Sequence, residues 1–178
     1  MTRYFTGVGA RYGVPSDVYD RVDSIGRYLI GIGYRNRTGD AVGMDAAWRK
    51  VCAHACDFYA PRNRSNPLPD AKIITGEHYV RAKNITRQHH PYFHNLGDFE
   101  AELHIRNVFE VLGDELNSPS EFLVCWTKDG AEKKTTRETG GTGQAIRLAI
   151  AYDIPVFNLY HADAEYRLAK HLKYLNWR

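Results

Sequence analysis

Apolar residues along the chain occur in two alternating patterns, short unbroken runs and repeats with helical spacing. Residues 122–126 (Phe-Leu-Val-Cys-Trp) form the clearest unbroken run, which is typical of a strand buried on both faces of a parallel sheet. From Val18 to Ile32, apolar residues recur at intervals of three or four, which predicts a helix with Ser16 as its N-cap and Gly33 as its stop. The chain therefore combines buried strands with amphipathic helices.

Strands and helices are predicted to alternate through most of the chain. This alternation is typical of a parallel sheet whose strands are joined by right-handed helical crossovers. We therefore expect an α/β fold, a Rossmann-like parallel sheet of about five strands flanked by helices. The predicted strands span residues 4–8, 34–38, 57–60, 122–126 and 155–159. The predicted helices span residues 16–33, 44–55, 99–112 and 164–175, and one further helix runs from the turn at 140–143 to residue 152.

Residues 61–97 have a different character from the rest of the chain. They hold four prolines and four of the eight histidines, together with several basic residues. We interpret this segment as an insertion or cap within a single domain of residues 1–178, with one short helix at about residues 77–86.

Composition narrows the class of protein. The 178 residues are 43% hydrophobic and 25% charged, which excludes disordered and fibrous classes. The net charge of +3 is well below that of a dedicated nucleic-acid arm, yet it tolerates a phosphate-bearing ligand. Three cysteines give no disulfide framework, and we find no membrane span or signal peptide, so a cytoplasmic protein is expected.

Three glycine-rich turns, at residues 6–11, 38–43 and 139–143, each lie between a predicted strand and a predicted helix. Taken singly, each turn is explained as a simple reversal of the chain direction. In a parallel sheet, however, such turns gather at the carboxyl ends of the strands, where glycine and a helix N-terminus favour an anion. Arg11 is placed to add a guanidinium fork to a phosphate. The three turns together predict a nucleotide or phosphate site.

The three turns and one further segment resemble sequence motifs of two known protein families. Residues 7–11 resemble the Gly-x-Arg strand end of the DprA/Smf DNA-processing proteins, and residues 38–47 are similar to their Ser-Gly-x-Ala-x-Gly-Ile-Asp segment. Residues 104–107 resemble the Arg-Lys helix of the LOG phosphoribohydrolases, and residues 139–144 resemble their Pro-Gly-Gly-x-Gly-Thr loop. The chain is therefore identified as a member of the SLOG superfamily of Rossmann-like nucleotide-binding proteins, of a phage or mobile-element type. The resemblance covers residues 4–56 and 99–160.

The resemblance implies a nucleotide-type ligand and a set of residues that bind it. Asp45 has two interpretations, a ribose contact or a favourable charge at its helix N-terminus, and Arg106 either binds phosphate or covers a helix face. The cysteines and histidines do not converge as a metal site, so neither a metal nor a cofactor is predicted. The expected ligand-binding residues are Gly7, Gly9, Arg11, Gly39, Asp40, Gly43, Asp45, Arg106, Asn107, Gly140, Gly141, Thr142, Gly143 and Gln144.

Three functions remain open at this stage. The first is a non-catalytic binding protein for a nucleotide-derived signal of the ADP-ribose type, acting as a phage sponge against host defence. The second is a DprA-like protein that binds single-stranded DNA through basic residues of the segment 61–97. The third is a LOG-like N-glycoside hydrolase, but the glutamate that LOG enzymes carry after the third turn is replaced here, so no catalytic residue is assigned and Asp40, Asp45 or Glu138 would have to substitute. A homo-oligomer is expected from the LOG resemblance.

Overall fold

The computed structural model describes residues 2–176, which form five strands and six α-helices. The strands are β1 (Arg3–Gly9), β2 (Tyr34–Gly39), β3 (Cys56–Tyr59), β4 (Leu123–Trp126) and β5 (Val156–Asn158). The helices are α1 (Ser16–Gly31), α2 (Met44–Cys52), α3 (Gly76–His89), α4 (Asp98–Leu112), α5 (Thr142–Ala151) and α6 (Ala164–Asn176).

All five strands run parallel in one sheet with the order β3-β2-β1-β4-β5. This arrangement confirms the predicted Rossmann-like α/β fold. β1 lies at the centre, where it pairs with β2 on one side and with β4 on the other. The chain therefore reverses its direction of travel across the sheet between β1 and β4, which is the position where open α/β sheets form a crevice.

Two hydrophobic clusters cover the two faces of the sheet. Leu123 and Cys125 of β4 face one cluster, whereas Val124 and Trp126 face the other, and all four side chains are buried. The period of two along a strand explains this division. The unbroken apolar run at residues 122–126 was therefore correctly interpreted as a strand buried on both faces.

The start of α1 corrects one sequence prediction. Pro15, not Ser16, occupies the N-cap position, and no side chain donates or accepts a capping hydrogen bond there. Proline fixes its own φ, so the chain enters the helix without needing a side-chain cap. The helix ends at Gly31, and Gly33, with a φ of +90°, then turns the chain into β2.

The segment 61–97 adds to the helical layer on one face of the sheet. The predicted short helix is present as the longer α3, and its Tyr79 and Ala82 join Phe93 in the same buried cluster as α4 and α5. Before α3, Lys72 exchanges backbone hydrogen bonds with Phe58 and Ala60 at 2.8 and 2.9 Å. The segment therefore covers the outer edge of β3. No helix in the described part of the chain is long and apolar enough to cross a bilayer.

Candidate functional site

A cavity of about 680 Å³ lies at the carboxyl ends of the strands, where the order reverses between β1 and β4. Its walls come from the loop after β1, from the turn after β2, from the loop between β4 and α5, and from one side of α4. Of the segment 61–97, Leu96 is the residue that reaches this lining. All three predicted glycine turns thus approach the same cavity.

The predicted binding residues divide into a lining group and a supporting group. Eight of them line the cavity: Gly9, Arg11, Asp45, Arg106, Asn107, Gly140, Gly141 and Thr142. Six lie outside the lining: Gly7, Gly39, Asp40, Gly43, Gly143 and Gln144. Whether any of them contacts a ligand stays a prediction, but their positions show different local roles.

Gly7 and Gly43 permit close packing. A Cβ atom at Gly7 would lie 2.6 Å from the Trp48 ring, so this glycine allows α2 to pack against β1. Gly43 has a φ of +73°, and a Cβ there would overlap the backbone carbonyls of Ala10 and Arg11. The turn after β2 therefore presses directly on the loop after β1, where Met44 N–H donates to the Ala10 carbonyl at 3.1 Å.

The Arg106 guanidinium is surrounded by three carboxylates at the floor of the cavity. It donates a hydrogen bond to Glu110, one turn further along α4, and lies 3.6 Å from both Asp40 and Asp45. Its side chain is 7% exposed. Its Nε has no hydrogen-bond partner in the described structure. Arg106 is thus committed to protein carboxylates, which gives it a third role that the sequence interpretation did not consider.

Glu110 is the functional candidate that sequence reasoning missed. It lies fully within the α4 helix, lines the cavity, and is 1% exposed. Its separation of four residues from Arg106 is the signal that was available, because side chains at that spacing share a helix face. α5, the helix after the third turn, has no carboxylate, whereas Glu110 places one on α4.

Burial controls the protonation of this acidic floor. It raises the pKa of Glu110 to about 7, although the Arg106 charge acts in the opposite direction. It also raises the pKa of Asp45 above its ordinary value, again against the attraction of Arg106. For Arg106, burial alone would lower the pKa, but the carboxylates of Glu110 and Asp45 outweigh it and raise the value. A cation and an ionisable carboxyl group therefore coexist at neutral pH.

Asp40 supports the floor from behind. Its Oδ2 accepts a hydrogen bond from Arg64 Nε at 2.7 Å, and its side chain is 2% exposed. Arg49 donates to the Gly39 carbonyl at 2.5 Å. Asp40 is therefore a positioning residue for Arg106 in this structure, while Arg64 of the segment 61–97 ties that segment to the site.

The third turn directs the N-terminus of α5 toward the cavity. Asp129 holds the preceding loop by accepting hydrogen bonds from the hydroxyls of Thr136 and Thr139, at 2.9 and 2.6 Å. Asn107 of α4 donates to the Gly141 carbonyl at 3.2 Å. Since the first N–H groups of a helix lack intrahelical partners, this end of the cavity favours an anion.

Residues 2–176 contain neither a cluster of metal ligands nor a cysteine whose thiol is activated as a nucleophile. No group of three or more His, Cys, Asp or Glu side chains there is arranged to hold a metal ion. Burial raises the pKa of the Cys56 thiol to about 12 and also raises that of Cys125. These thiols stay protonated at neutral pH and pack as small apolar side chains.

No family model matches the chain, and no curated protein matches it significantly. Among solved structures, it is similar to DNA processing protein A from Helicobacter pylori, whose published description concerns its single-stranded DNA binding mode. The TM-score is 0.48 and the identity 15%, over 95% of this chain and 72% of that chain. At these values the likeness carries no argument about function.

Proposed function

We propose that the protein binds a nucleotide or a nucleotide-derived small molecule in the cavity at the carboxyl edge of its sheet. The observation that supports this most is the convergence of three glycine turns and the α5 N-terminus on one cavity of about 680 Å³. Ligand pockets for small molecules commonly measure about 300–1,000 Å³. In this proposal the protein binds its ligand without catalysing a reaction. The most specific form of the proposal is that the ligand is a signal of the ADP-ribose type and that the protein is a homo-oligomeric phage sponge that captures it.

The charges of the lining give such a ligand an orientation. Gly140, Gly141 and Thr142 present the helix N-terminus to a phosphate, and Arg11 and Lys128 add two cations to the lining. At the floor, Asp45 is suited to accept hydrogen bonds from ribose hydroxyls. The ligand would therefore place its phosphate near α5 and its sugar near α2.

Mass spectrometry of small molecules released by heat, after incubation with a nucleotide extract, tests the proposal. We expect one intact nucleotide at about one per chain. Gly141→Leu should abolish the recovery, because a Cβ at Gly141 meets no protein atom within 4 Å and the side chain would extend into the cavity. Gly31→Leu is the matched control, since Gly31 is exposed, also has open space around its Cβ, and lies outside the lining. Equal recovery from both variants would place the ligand elsewhere.

A second function, hydrolysis of an N-glycosidic bond, is favoured by Glu110. A carboxyl group with a pKa of about 7 in a cavity is suited to donate a proton to a departing base. In its ionised form, which the Arg106 charge favours and burial opposes, the Asp45 carboxylate would stabilise the oxocarbenium-like sugar. In this case a free base and ribose phosphate appear instead of intact nucleotide. Glu110→Gln should bind the nucleotide and return it unchanged, whereas undiminished cleavage would exclude this role for Glu110.

The single-stranded DNA alternative receives less support from the segment 61–97. Three of its basic residues pair with carboxylates: Arg62 with Glu102 at 3.2 Å, Arg64 with Asp40 at 2.7 Å, and Lys72 with Asp114 at 2.8 Å. Arg81, Lys83 and Arg87 remain as candidates for phosphate contacts. Oligonucleotide binding that weakens steeply with salt would favour this alternative over the small molecule.

A further inference from the structure

We propose that the cavity wall formed by His104 is a subsite for a phosphoryl group, backed by the guanidinium of Arg147. The inference rests on the proposed function, because it assigns one end of the same ligand. It adds two side chains, from α4 and α5, that are not among the ligand-binding residues expected from the sequence.

Three helices meet at this wall. His104 of α4 lines the cavity, and its ring lies against that of His90 of α3, with 4.3 Å between the ring centroids. The Nδ1 of His104 is buried and has no hydrogen-bond partner in the described structure. Arg147 of α5 lies beside the first turn of its own helix, since a Cβ at Gly143 would be 3.2 Å from its Nη1.

The charge of Arg147 is not balanced by any carboxylate in the described part of the chain. Its guanidinium donates to the Thr135 hydroxyl at 2.9 Å and, through two nitrogens, to the side-chain amide oxygen of Gln144 at 3.0 and 3.2 Å. Both acceptors are neutral. The Nε2 of the buried Gln144 has no partner there either. Partly burying an unpaired cation is unfavourable, and an anion bound nearby would relieve it.

The surroundings of His104 keep its imidazole neutral. Burial is the main reason that its pKa falls to about 3, and the nearby His90, Arg147, Arg106 and Arg11 act in the same direction. The exposed carboxylates of the lining are Glu100, which accepts a hydrogen bond from the Gly97 N–H at 3.4 Å, and Glu138. The neutral imidazole still has one N–H to donate.

A phosphoryl group fits this wall better than other anions do. It offers several oxygens at once, and the wall and the α5 N-terminus, which both reach the lining, present donors from two directions. At the floor, the Arg106 guanidinium is already paired with Asp45 and Glu110 and is not available to a phosphate. The phosphoryl end of the ligand therefore belongs at His104.

The test uses the full chain with pyrophosphate alone as the probe. Nitrogen-15 spectra of the histidine rings report His104 directly, and we expect its resonances to shift saturably as pyrophosphate is added at neutral pH. Arg147→Gln should weaken the apparent affinity about tenfold, and Arg147→Lys, which keeps the charge, should restore most of it. Lys170→Gln removes one positive charge from an exposed position on α6, outside the lining, and should leave the affinity unchanged.

The outcomes separate this inference from the proposed function. If a nucleotide binds but pyrophosphate leaves the His104 resonances unmoved, the phosphate lies elsewhere and the subsite is overturned while the function stands. If pyrophosphate shifts His104 and no nucleotide is recovered, the subsite stands and the nucleotide proposal fails. Equal affinities of Arg147→Gln and Lys170→Gln would show that Arg147 does not contribute to the subsite.

Discussion

The Arg106 guanidinium occupies the space in which a side chain at Gly39 would lie. Gly39 ends β2, and Arg106 belongs to α4, so this contact joins the sheet to the helix that forms the cavity floor. A carboxylate oxygen of Asp45 borders the same space. The glycine of the second turn thus makes room for a buried ion pair, a role different from the close approach to phosphate that the sequence predicts.

Gly39→Ala should therefore destabilise the fold. A methyl group at this position overlaps Arg106 and separates it from Asp45, and breaking a buried ion pair costs about 3–5 kcal/mol. We expect a loss of about 3 kcal/mol in the free energy of unfolding, measured by urea denaturation. Gly31→Ala, where the added methyl meets no atom, serves as the control and should lose nothing. Equal stability of the two variants would contradict the packing described for Arg106.

Glu110 makes stability fall as the pH rises. Its pKa is about 7 in the folded protein, against about 4.3 for an ordinary glutamate, so the folded state holds the extra proton between these values. The contribution is complete below about pH 4.3 and is lost as the pH rises to 7. Glu110→Gln should remove this part of the pH dependence, a slope of up to about 1.4 kcal/mol per unit.

Urea denaturation from pH 4.5 to 7.5 measures the effect, with Glu138→Gln as the control because Glu138 is exposed. An identical slope in wild type and Glu110→Gln would show that Glu110 does not retain its proton.

His104 produces the opposite dependence in acid. Burial keeps its folded pKa at about 3, whereas an unfolded histidine titrates at about 6.5. The unfolded state therefore takes up the proton first, and stability is lost as the pH falls from 6.5 toward 3. His104→Gln should flatten this loss. The exposed His54→Gln is the matched control and should follow the wild type, and acid unfolding monitored by circular dichroism distinguishes them.

Asp129 should determine the order of the loop before α5. Its carboxylate joins Thr136 and Thr139, and Asp129→Ala removes both hydrogen bonds, although Asp129 itself lies outside the cavity lining. We expect faster hydrogen exchange across residues 131–141 and a loss of about 1–3 kcal/mol in the free energy of unfolding. Asp20→Ala, at an exposed position of α1, provides the comparison. Unchanged exchange in Asp129→Ala would show that other contacts hold the loop.

Local patterns predicted the elements well because each one depends on residues near in sequence. The apolar run at 122–126 and the helical spacing from Val18 to Ile32 gave a strand and a helix within a few residues of their observed bounds. The N-cap was wrong at Ser16 because proline can begin a helix without a capping side chain.

The sequence predicted in part which residues line the cavity, and ligand binding by them stays a prediction. Gly9, Gly141 and Thr142 line the cavity because the turns at the carboxyl ends of parallel strands meet at one edge of the sheet, and this follows from the backbone topology alone. The same reasoning could not separate them from Gly7 and Gly43, whose Cβ positions are filled by α2 and by a neighbouring loop.

The sequence by itself determined a parallel sheet, its alternating helices and the edge of the sheet at which the glycine turns gather, since hydrophobic period and glycine position act locally. Only the tertiary structure decided that Arg106 is held by Asp40, Asp45 and Glu110, that His104 lines the cavity, and that Arg147 pairs with the neutral side chains of Thr135 and Gln144. These arrangements bring together side chains from α2, α4, α5 and the turn after β2. Their charges and pKa values depend on burial and on distances between elements far apart in the chain, which no local pattern encodes.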